Sequence, residues 1–290
     1  MNSPVTDSET PGTRNSERRP WRVIKFGGSS VASPENWPQI AGRAREALSD
    51  GSNVVIVVSA LAGITDLLED ALKTSNGTDP RSLVDEIRRR HAALAGALEI
   101  DAAPLEPVFE ELRQALTEAL ARQDDPSLAA RAMARVMAFG ELASSRLGAL
   151  ALVAQGLDCR WLDSRELLVS HGSPTRAERN RWLAAEVESA PDPAAAARLA
   201  ADGRVHIAPG FIARDGSGDT VLLGRGGSDI SAALIGSLLD AERVEIHSDV
   251  PGLFSADPRR IPAARLLRSI SYREALELAA MGAKALHPRA

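Results

Sequence analysis

This chain of 290 residues has one cysteine, a slight excess of acidic residues and no long apolar run. These features limit the classes of protein to which it can belong. Cys159 is the only cysteine, so no internal disulfide can form, which fits a reducing cytoplasm. The formal net charge of −5 gives a nucleic-acid partner no overall electrostatic support. No uninterrupted apolar stretch reaches the length of about 18 residues that predicts a membrane-spanning helix. We therefore expect a cytoplasmic protein that has neither nucleic acid nor membrane as a partner.

Several common catalytic motifs are also missing. The sequence has no Gly-x-x-x-x-Gly-Lys-Ser/Thr phosphate loop, no Gly-x-Gly-x-x-Gly dinucleotide fingerprint and no Gly-x-Ser-x-Gly elbow of a serine hydrolase. Cysteines and histidines do not show the spacing of a metal site, so we expect no metal held by protein side chains alone.

Residues 1–20 are rich in Ser, Thr, Pro, Glu and Arg and contain hardly any apolar residue. They lack the apolar core of a secretory signal, and their acids disfavour a transit peptide. We expect a disordered N-terminal tail over 1–20 and a folded part over 21–290.

The remaining pattern predicts an α/β fold. Apolar, β-branched runs predict strands at 21–26, 53–59, 158–162, 205–208, 221–223 and 243–247. Ser33-Pro34-Glu35 predicts the start of a helix that runs to about Leu48, and a second helix is expected near Asp66 to Lys73. Strand, helix, strand, helix implies a right-handed crossover and a parallel sheet.

The segment 79–156 is helical in pattern, with breaks at Pro104, Pro107 and 124–126. We interpret it as a helical insertion that covers and lines the site. Its Met133 and Met137 are interpreted as core residues, and its basic run 88–91 as a solvated face. The alanine-rich stretch 184–201 predicts a further surface helix.

Two glycine turns carry charged side chains between a strand and a helix. Lys25 and Gly27-Gly28 follow the first strand, and Gly224-Arg225-Gly-Gly-Ser228-Asp229 follows the strand-like run at 220–223. A helix that begins after such a turn points backbone N–H groups and a positive dipole end at an anion. Two such turns in one fold indicate two charged reactants held face to face, as in a phosphotransferase.

The combination of motifs resembles the aspartate kinases of the amino-acid kinase superfamily from about Val23 to Arg289. The motifs are Lys25-Phe-Gly-Gly-Ser-Ser-Val-Ala32, Val58-Ser-Ala60 with Gly63-Ile-Thr65, Phe139-Gly-Glu141, Gly224-Arg-Gly-Gly-Ser-Asp229, Ser248-Asp-Val-Pro-Gly252, Asp257-Pro-Arg259 and Gly282-Ala-Lys-Ala-Leu-His-Pro288. The resemblance implies a three-layer αβα sandwich with a mainly parallel central sheet. It also implies that ATP phosphorylates the side-chain carboxylate of L-aspartate to 4-phospho-L-aspartate, which opens the route to lysine, threonine and methionine.

The resemblance assigns the phosphate side of the site to two lysines and two glycines. Lys25 and Lys284 would meet the transferring phosphoryl group, and Asp229 would orient these two cations. Gly27 and Gly28 would let backbone N–H groups approach phosphate without a Cβ in the way.

The same resemblance assigns the remaining contacts. Arg225 would bind the α-carboxylate of aspartate, Glu141 would hold its α-ammonium group, and neutral hydrogen bonds would come from Ser59, Thr65 and Ser228. The ATP contacts would be Ser248, Asp249, Phe254 and Arg259, and Mg²⁺ would accompany ATP with phosphate oxygens and water as most of its ligands.

Three positions depart from the family pattern. Ser248 stands where the family usually has threonine, Phe254 where it has tyrosine, and Leu222 where threonine is common. These changes weaken or remove hydroxyl contacts but remove no charge needed for transfer.

The sequence ends at Ala290, whereas aspartate kinases continue into a pair of small amino-acid-binding regulatory domains. We expect those domains to be absent from this chain. The sequence of residues 250–256 resembles that of aspartate kinases that are fused to diaminopimelate decarboxylase in bifunctional proteins.

Alternatives stay open at this point. Lys25 could point to the surface from a strand end, and Glu141 could be an exposed helix acid. Lys284 and Asp229 could simply be charged side chains that interact favourably with the dipole at a helix end. Ser59 and Thr65 could be strand-end and helix-cap hydroxyls. The function could instead be that of a glutamate or N-acetylglutamate kinase of the same fold, or of a non-catalytic nucleotide- or amino-acid-binding fragment. The oligomeric state, including a homo-oligomer, is open as well.

Overall fold

The computed structural model describes residues 19–73, 79–122, 126–172, 177–188, 190–248, 252–257 and 260–280. Most of the predicted tail, up to residue 18, lies outside these ranges. So do three predicted site residues, which are Asp249, Arg259 and Lys284.

The described residues form eight strands and ten α-helices, with four consecutive helices between β2 and β3. The strands are β1 (Trp21–Phe26), β2 (Asn53–Val58), β3 (Cys159–Trp161), β4 (Val169–Ser170), β5 (Val205–Pro209), β6 (Ile212–Asp215), β7 (Thr220–Leu222) and β8 (Arg243–His247). The helices are α1 (Gly28–Ala32), α2 (Trp37–Ser49), α3 (Ile64–Lys73), α4 (Pro80–Ala97), α5 (Glu106–Leu120), α6 (Pro126–Ala154), α7 (Glu178–Leu183), α8 (Pro193–Asp202), α9 (Gly227–Leu238) and α10 (Tyr272–Ala280).

The central sheet has the strand order β3-β5-β2-β1-β8, and every neighbouring pair in it is parallel. In its register Phe26 pairs with Val58 on one side and with His247 on the other, so these strands end at a common edge. A smaller sheet has the order β4-β6-β7, with β6 and β7 antiparallel. The predicted αβα fold with a mainly parallel sheet between helices is confirmed.

The centre of the sheet is buried because its strands are apolar on both faces. All six residues of β2 are buried, and β1 beside it exposes only Arg22 in part. Such continuous apolar runs suit a parallel sheet covered by helices on both sides. Cys159, in the edge strand β3, is also buried, which raises the pKa of its thiol to about 12. This inert thiol agrees with the absence of a disulfide.

Helix α6 packs against β2, β3 and β5 of the central sheet, and α4 and α5 pack against α6. Leu128–Ala154, most of α6, is long and apolar enough to span a membrane by length and composition. However, 78% of its apolar window is buried inside the protein, as expected for a core helix. Its apolarity is therefore accounted for by packing against α3, α5 and β5.

The helix predicted from Ser33 starts differently in the structure. The chain is helical already in α1, becomes extended at Ser33 (φ −97°, ψ 120°), forms a 3₁₀ turn at Pro34–Asn36 and enters α2 only at Trp37. Proline disfavours helical backbone in the residue before it, so Pro34 separates the two helices at Ser33.

Two further predictions need correction. The helix expected over 184–201 is confined to Pro193–Asp202, because the Asp192 carboxylate caps its N-terminus by accepting from the N–H groups of Ala194 and Ala195. The basic run 88–91 is only partly a solvated face. Its arginines pair with surface acids, but His91 is fully buried with its ring against Phe109.

Candidate active site

A cavity of about 560 Å³ opens at the carboxyl edge of the central sheet, where a doubly wound fold binds its ligands. Its lining comes from β1, β7, α3, α6, α7 and the glycine turn before α9. The lining residues are Lys25, Ser59, Thr65, Glu69, Met133, Met137, Glu141, Arg179, Leu183, Phe211, Leu222, Gly224, Arg225, Gly226, Gly227, Ser228 and Asp229. Seven of the predicted site residues therefore face one cavity.

Lys25 and Asp229 form an ion pair in this cavity, with 2.6 Å between Nζ and Oδ1. The side chains are only 10% and 16% exposed, so Lys25 does not point to the surface from its strand end. The short contact keeps the Lys25 ammonium group at the cavity wall beside the Asp229 carboxylate.

Glu141 brings a buried acid from α6 to the same cavity. Its residue exposure is 3%, so it is not an exposed helix acid. Oε1 accepts a hydrogen bond from the backbone N–H of Ala60 at 3.3 Å, while the buried Oε2 has no partner among the described residues. Burial raises the pKa of this carboxyl to about 8, and the hydrogen bond from Ala60 offsets the shift only in part. An unpartnered, buried carboxyl oxygen on a cavity wall is a ready acceptor for a cationic ligand group.

The loop after β2 joins α6 to the end of β1. The backbone N–H of Ser59 donates to the carbonyl of Phe26 at 3.2 Å, and the Ser144 hydroxyl of α6 donates to the carbonyl of Ser59 at 2.7 Å. Thr65 follows in the first turn of α3. The two hydrogen bonds fix the backbone of Ser59 at the cavity wall, which Thr65 also lines.

The glycine turn before α9 needs glycine for its backbone. Gly224 and Gly226 have φ values of 81° and 67°, in the left-handed region that L side chains avoid. Phe211 adopts the same region (φ 68°) despite its side chain, and its ring lies directly against Gly227, where a Cβ would collide with it. The N–H of Leu223 donates to the carbonyl of Phe211 at 2.9 Å. The turn that carries Arg225, Ser228 and Asp229 is thus held by close backbone packing.

Sequence reasoning missed part of the wall. Met137 belongs to the buried core and Met133 packs against it, as expected, but both also line the cavity, one turn and two turns before Glu141, respectively, on the same face of α6. Glu69, Arg179 and Leu183 also line it without having been predicted. The i, i+4, i+8 spacing of Met133, Met137 and Glu141 was the available signal, since it places all three on one stripe of a helix.

Other predicted residues lie beside the cavity or apart from it. Gly27 and Gly28 do not line it but lie at the start of α1, and a Cβ on Gly27 would come 3.8 Å from Lys25 Nζ. Ser248, at the end of β8, and Phe254, in a bridge with Leu266, are not among its lining residues. Asp249, Arg259 and Lys284 lie outside the described residues.

Comparison with known proteins identifies the family of this chain. The model of the amino acid kinase family matches residues 20–290. The chain is 35% identical over 280 residues to the lysine-sensitive aspartokinase 3 of Escherichia coli, covering 92% of this chain and 57% of that protein. It is 31% identical over 271 residues to the aspartokinase of Chlamydia muridarum, covering 93% of this chain and 57% of that protein. The chain thus spans little more than half the length of these relatives.

Solved structures agree. The crystal structure of E. coli aspartokinase III in complex with aspartate and ADP matches with a TM-score of 0.72 at 34% identity, covering 92% of this chain and 58% of that one. The structure of the same enzyme with lysine and aspartate matches with a TM-score of 0.62 at 32% identity, over the same shares. Because the family model spans all but the N-terminal tail, the chain belongs to the amino acid kinase family, and within it the chain is similar to the aspartokinases.

Proposed function

We propose that this chain catalyses the ATP-dependent phosphorylation of the side-chain carboxylate of L-aspartate, giving 4-phospho-L-aspartate and ADP. The observation that carries the proposal is the Lys25–Asp229 ion pair, which lines the same cavity as Glu141 and Arg225. The same cavity thus offers a cation for phosphate together with an acid and a guanidinium for an amino acid. The similar E. coli enzyme was solved with aspartate and ADP.

The amino-acid end suits a free α-amino acid. Arg225 would pair with the α-carboxylate in a two-pronged contact, and the unpartnered oxygen of Glu141 would accept from the α-ammonium group. Ser59, Thr65 and Ser228 would add neutral hydrogen bonds. An N-acylated substrate carries no positive charge for Glu141, so this acid favours aspartate over N-acetylglutamate.

The phosphate end uses cations and backbone. Among the described residues other than its chain neighbours, only Lys25 comes within 4 Å of a Cβ added at Gly27, and this open space fits an approaching phosphate. Lys25 would offset the charge that spreads over the equatorial oxygens during transfer, and Asp229 would orient it. Lys284, Ser248, Asp249, Phe254 and Arg259 remain proposed nucleotide contacts on the strength of the sequence resemblance alone.

The transfer needs no general base. The side-chain carboxylate of aspartate is ionised at neutral pH and attacks the γ-phosphorus directly. A bond forms between a carboxylate oxygen and phosphorus while the bond from phosphorus to the β,γ-bridging oxygen breaks, and ADP leaves with that electron pair. Catalysis is then positioning and charge stabilisation by the groups named above.

Magnesium is expected with ATP. The described residues contain no group of three or more His, Cys, Asp or Glu side chains placed to hold a metal ion. Mg²⁺ bound chiefly by phosphate oxygens and water fits this arrangement, and it would supply charge neutralisation at the phosphates. We also propose that residues 21–290 act as one kinase domain in the cytoplasm, with the helices over 79–156 as an insertion that supplies Glu141.

A substrate comparison tests the proposal. Release of ADP would be measured with L-aspartate, L-glutamate and N-acetyl-L-glutamate, and the acyl phosphate would be trapped with hydroxylamine as a hydroxamate. Turnover with aspartate and hydroxamate formation are expected. Turnover with glutamate or its acetyl derivative alone would overturn the substrate, and ATP binding without any turnover would indicate a non-catalytic fragment.

A further inference from the structure

Trp182 of α7 has two guanidinium groups close to its ring. The Cζ atoms of Arg131 and Arg181 lie 5.7 Å and 5.0 Å from the centre of its ring. Trp182 is buried although it belongs to a helix of only six residues. A short helix gains little stability from its own hydrogen bonds, so its position depends on such tertiary contacts.

Each of these arginines is tied to the β6–β7 hairpin. Arg131 of α6 pairs with Asp219 at 2.6 Å, and Arg181 of α7 pairs with Asp215 at 3.1 Å. Burial opposes ionisation of Asp215, but hydrogen bonds from the backbone N–H groups of Asp219 and Ser217 and from Arg181 outweigh it and lower its pKa. We call these five residues, Trp182, Arg131, Arg181, Asp215 and Asp219, the Trp182 clamp. The clamp joins α6, α7 and the hairpin around one ring.

The other side of α7 forms part of the cavity wall. Leu183, next to Trp182, lines the cavity, and so does Arg179 one turn earlier. A Cβ on Gly224 would come 3.4 Å from Ala184 Cβ and 3.6 Å from the carbonyl oxygen of Leu183. The N–H of Ala185 donates to the carbonyl of Leu222 at 2.7 Å. Through these contacts the end of α7 supports the backbone directly before Arg225.

We infer that Trp182 is a positioning residue for the acceptor amino acid. The clamp fixes α7, and α7 fixes the Leu183 wall and the Gly224 backbone from which Arg225 reaches the substrate. This inference rests on the proposed function, since it concerns the acceptor end of that site. The helix α7 packs chiefly against α6 and β7 rather than against β1 and α9, which carry Lys25 and Asp229, so we expect loss of the clamp to disturb the nucleotide end less than Arg225.

The chain offers closely matched variants. Arg131→Ala removes one of the two guanidinium groups at the ring, and Trp182→Phe keeps an aromatic ring beside the arginines whereas Trp182→Ala does not. Arg146→Ala is the control, because Arg146 also belongs to α6 and covers a tryptophan, Trp161, at 3.9 Å, but on the edge strand β3. Arg135→Ala is a second control, since it breaks the 2.9 Å ion pair to Glu118 one turn from Arg131.

Steady-state kinetics would give separate KM values for aspartate and ATP. We expect Arg131→Ala and Trp182→Ala to raise the aspartate KM about tenfold, because small displacements of a binding group are costly. The ATP KM should change less than twofold, Trp182→Phe should restore most of the aspartate affinity, and both controls should behave as wild type. An aspartate KM within twofold of wild type in Arg131→Ala would overturn the inference. Equal effects of Arg146→Ala would also overturn it. Arg131 is half exposed, so this variant is decisive even where Trp182→Ala does not fold.

A second readout separates this inference from the proposed function. Hydrogen–deuterium exchange of the free protein would follow the Ala185 amide, which donates to Leu222. Faster exchange there in Arg131→Ala, but not in Arg146→Ala, is expected whatever the substrate. Failure of the wild type to phosphorylate aspartate would refute the function, whereas unchanged exchange and unchanged aspartate KM in an active enzyme would refute the clamp.

Discussion

The backbone N–H of Ala60 donates a 3.3 Å hydrogen bond to Oε1 of Glu141, and this contact joins the loop after β2 to the middle of α6. The other oxygen of the same carboxyl is buried without a partner among the described residues. The carboxyl is therefore neutral at neutral pH in the free protein, because burial raises its pKa to about 8. A substrate ammonium group placed against it would favour the ionised form and release the proton.

Aspartate affinity should consequently rise with pH. Between pH 6 and 7 the free enzyme must lose the Glu141 proton before it can pair with the ammonium group, so the aspartate Kd should fall by about tenfold per pH unit. It should level off above about pH 8, where the carboxyl is already ionised. Calorimetric titrations in buffers of different ionisation enthalpy would detect the released proton. A Kd that stays flat from pH 6 to 8 would show that Glu141 does not hold the ammonium group.

Glu141 should also make the protein less stable as pH rises. The folded-state pKa of about 8 exceeds the ordinary value of 4.5, so the unfolded chain loses this proton first and stability falls between these two pH values. Glu141→Gln removes this loss of stability. Its free energy of unfolding should exceed that of the wild type by on the order of a few kcal/mol at pH 8 and should equal it near pH 4. Denaturant unfolding across this range would measure it.

Glu110→Gln is the matched control for that measurement. The ion pair with Arg113 lowers the pKa of exposed Glu110 to about 2, so this group contributes stability that is lost only as pH falls below its ordinary range. Its effect should be constant from pH 5 to 8. A pH slope that survives unchanged in Glu141→Gln would contradict the assignment.

Lys25 should be essential for turnover but not for folding. Lys25→Ala removes the cation proposed to face the transferring phosphoryl group, and we expect kcat to fall by about 10²–10³-fold. It also leaves the Asp229 carboxylate without its ion pair, so Lys25→Ala with Asp229→Asn should recover stability but no activity. Arg43→Ala, which breaks an exposed ion pair on α2, controls for loss of a positive charge. Turnover near the wild-type rate in Lys25→Ala would remove this residue from the mechanism.

The strands were the most predictable part of this fold. The ranges 21–26 and 53–59 match β1 and β2 closely, because runs that are apolar on both faces leave few alternatives to a buried parallel strand. β4 has two residues and pairs with β6 far along the chain, so it carried no local signal. Local patterns could not show this pairing.

The charged side chains of the site could be predicted from sequence motifs, but the apolar wall of the cavity could not. Glu141 and Asp229 were named from motifs, and the structure adds their burial and the Ala60 and Lys25 contacts. Met133 and Met137 are apolar whether they line a cavity or pack in the core, so residue type could not distinguish the two, and only their spacing to Glu141 indicated the wall. The Trp182 clamp depends on residues from three separate elements, and no spacing along the chain predicts such a contact.

Gly27 and Gly28 are adjacent in sequence but should respond very differently to alanine. A Cβ on Gly28 would lie 2.6 Å from the carbonyl oxygen of Ala60, a backbone atom that cannot turn aside, whereas a Cβ on Gly27 would make an ordinary 3.8 Å contact with Lys25 Nζ. Gly28→Ala should therefore cost about 1–3 kcal/mol of stability and displace the loop whose N–H binds Glu141. Gly27→Ala should fold with nearly wild-type stability yet raise the ATP KM, because its methyl group occupies the space in which phosphate would approach the backbone. Thermal unfolding and separate ATP and aspartate titrations of the two variants would check this, and a Gly27→Ala enzyme with an unchanged ATP KM would place the phosphates elsewhere.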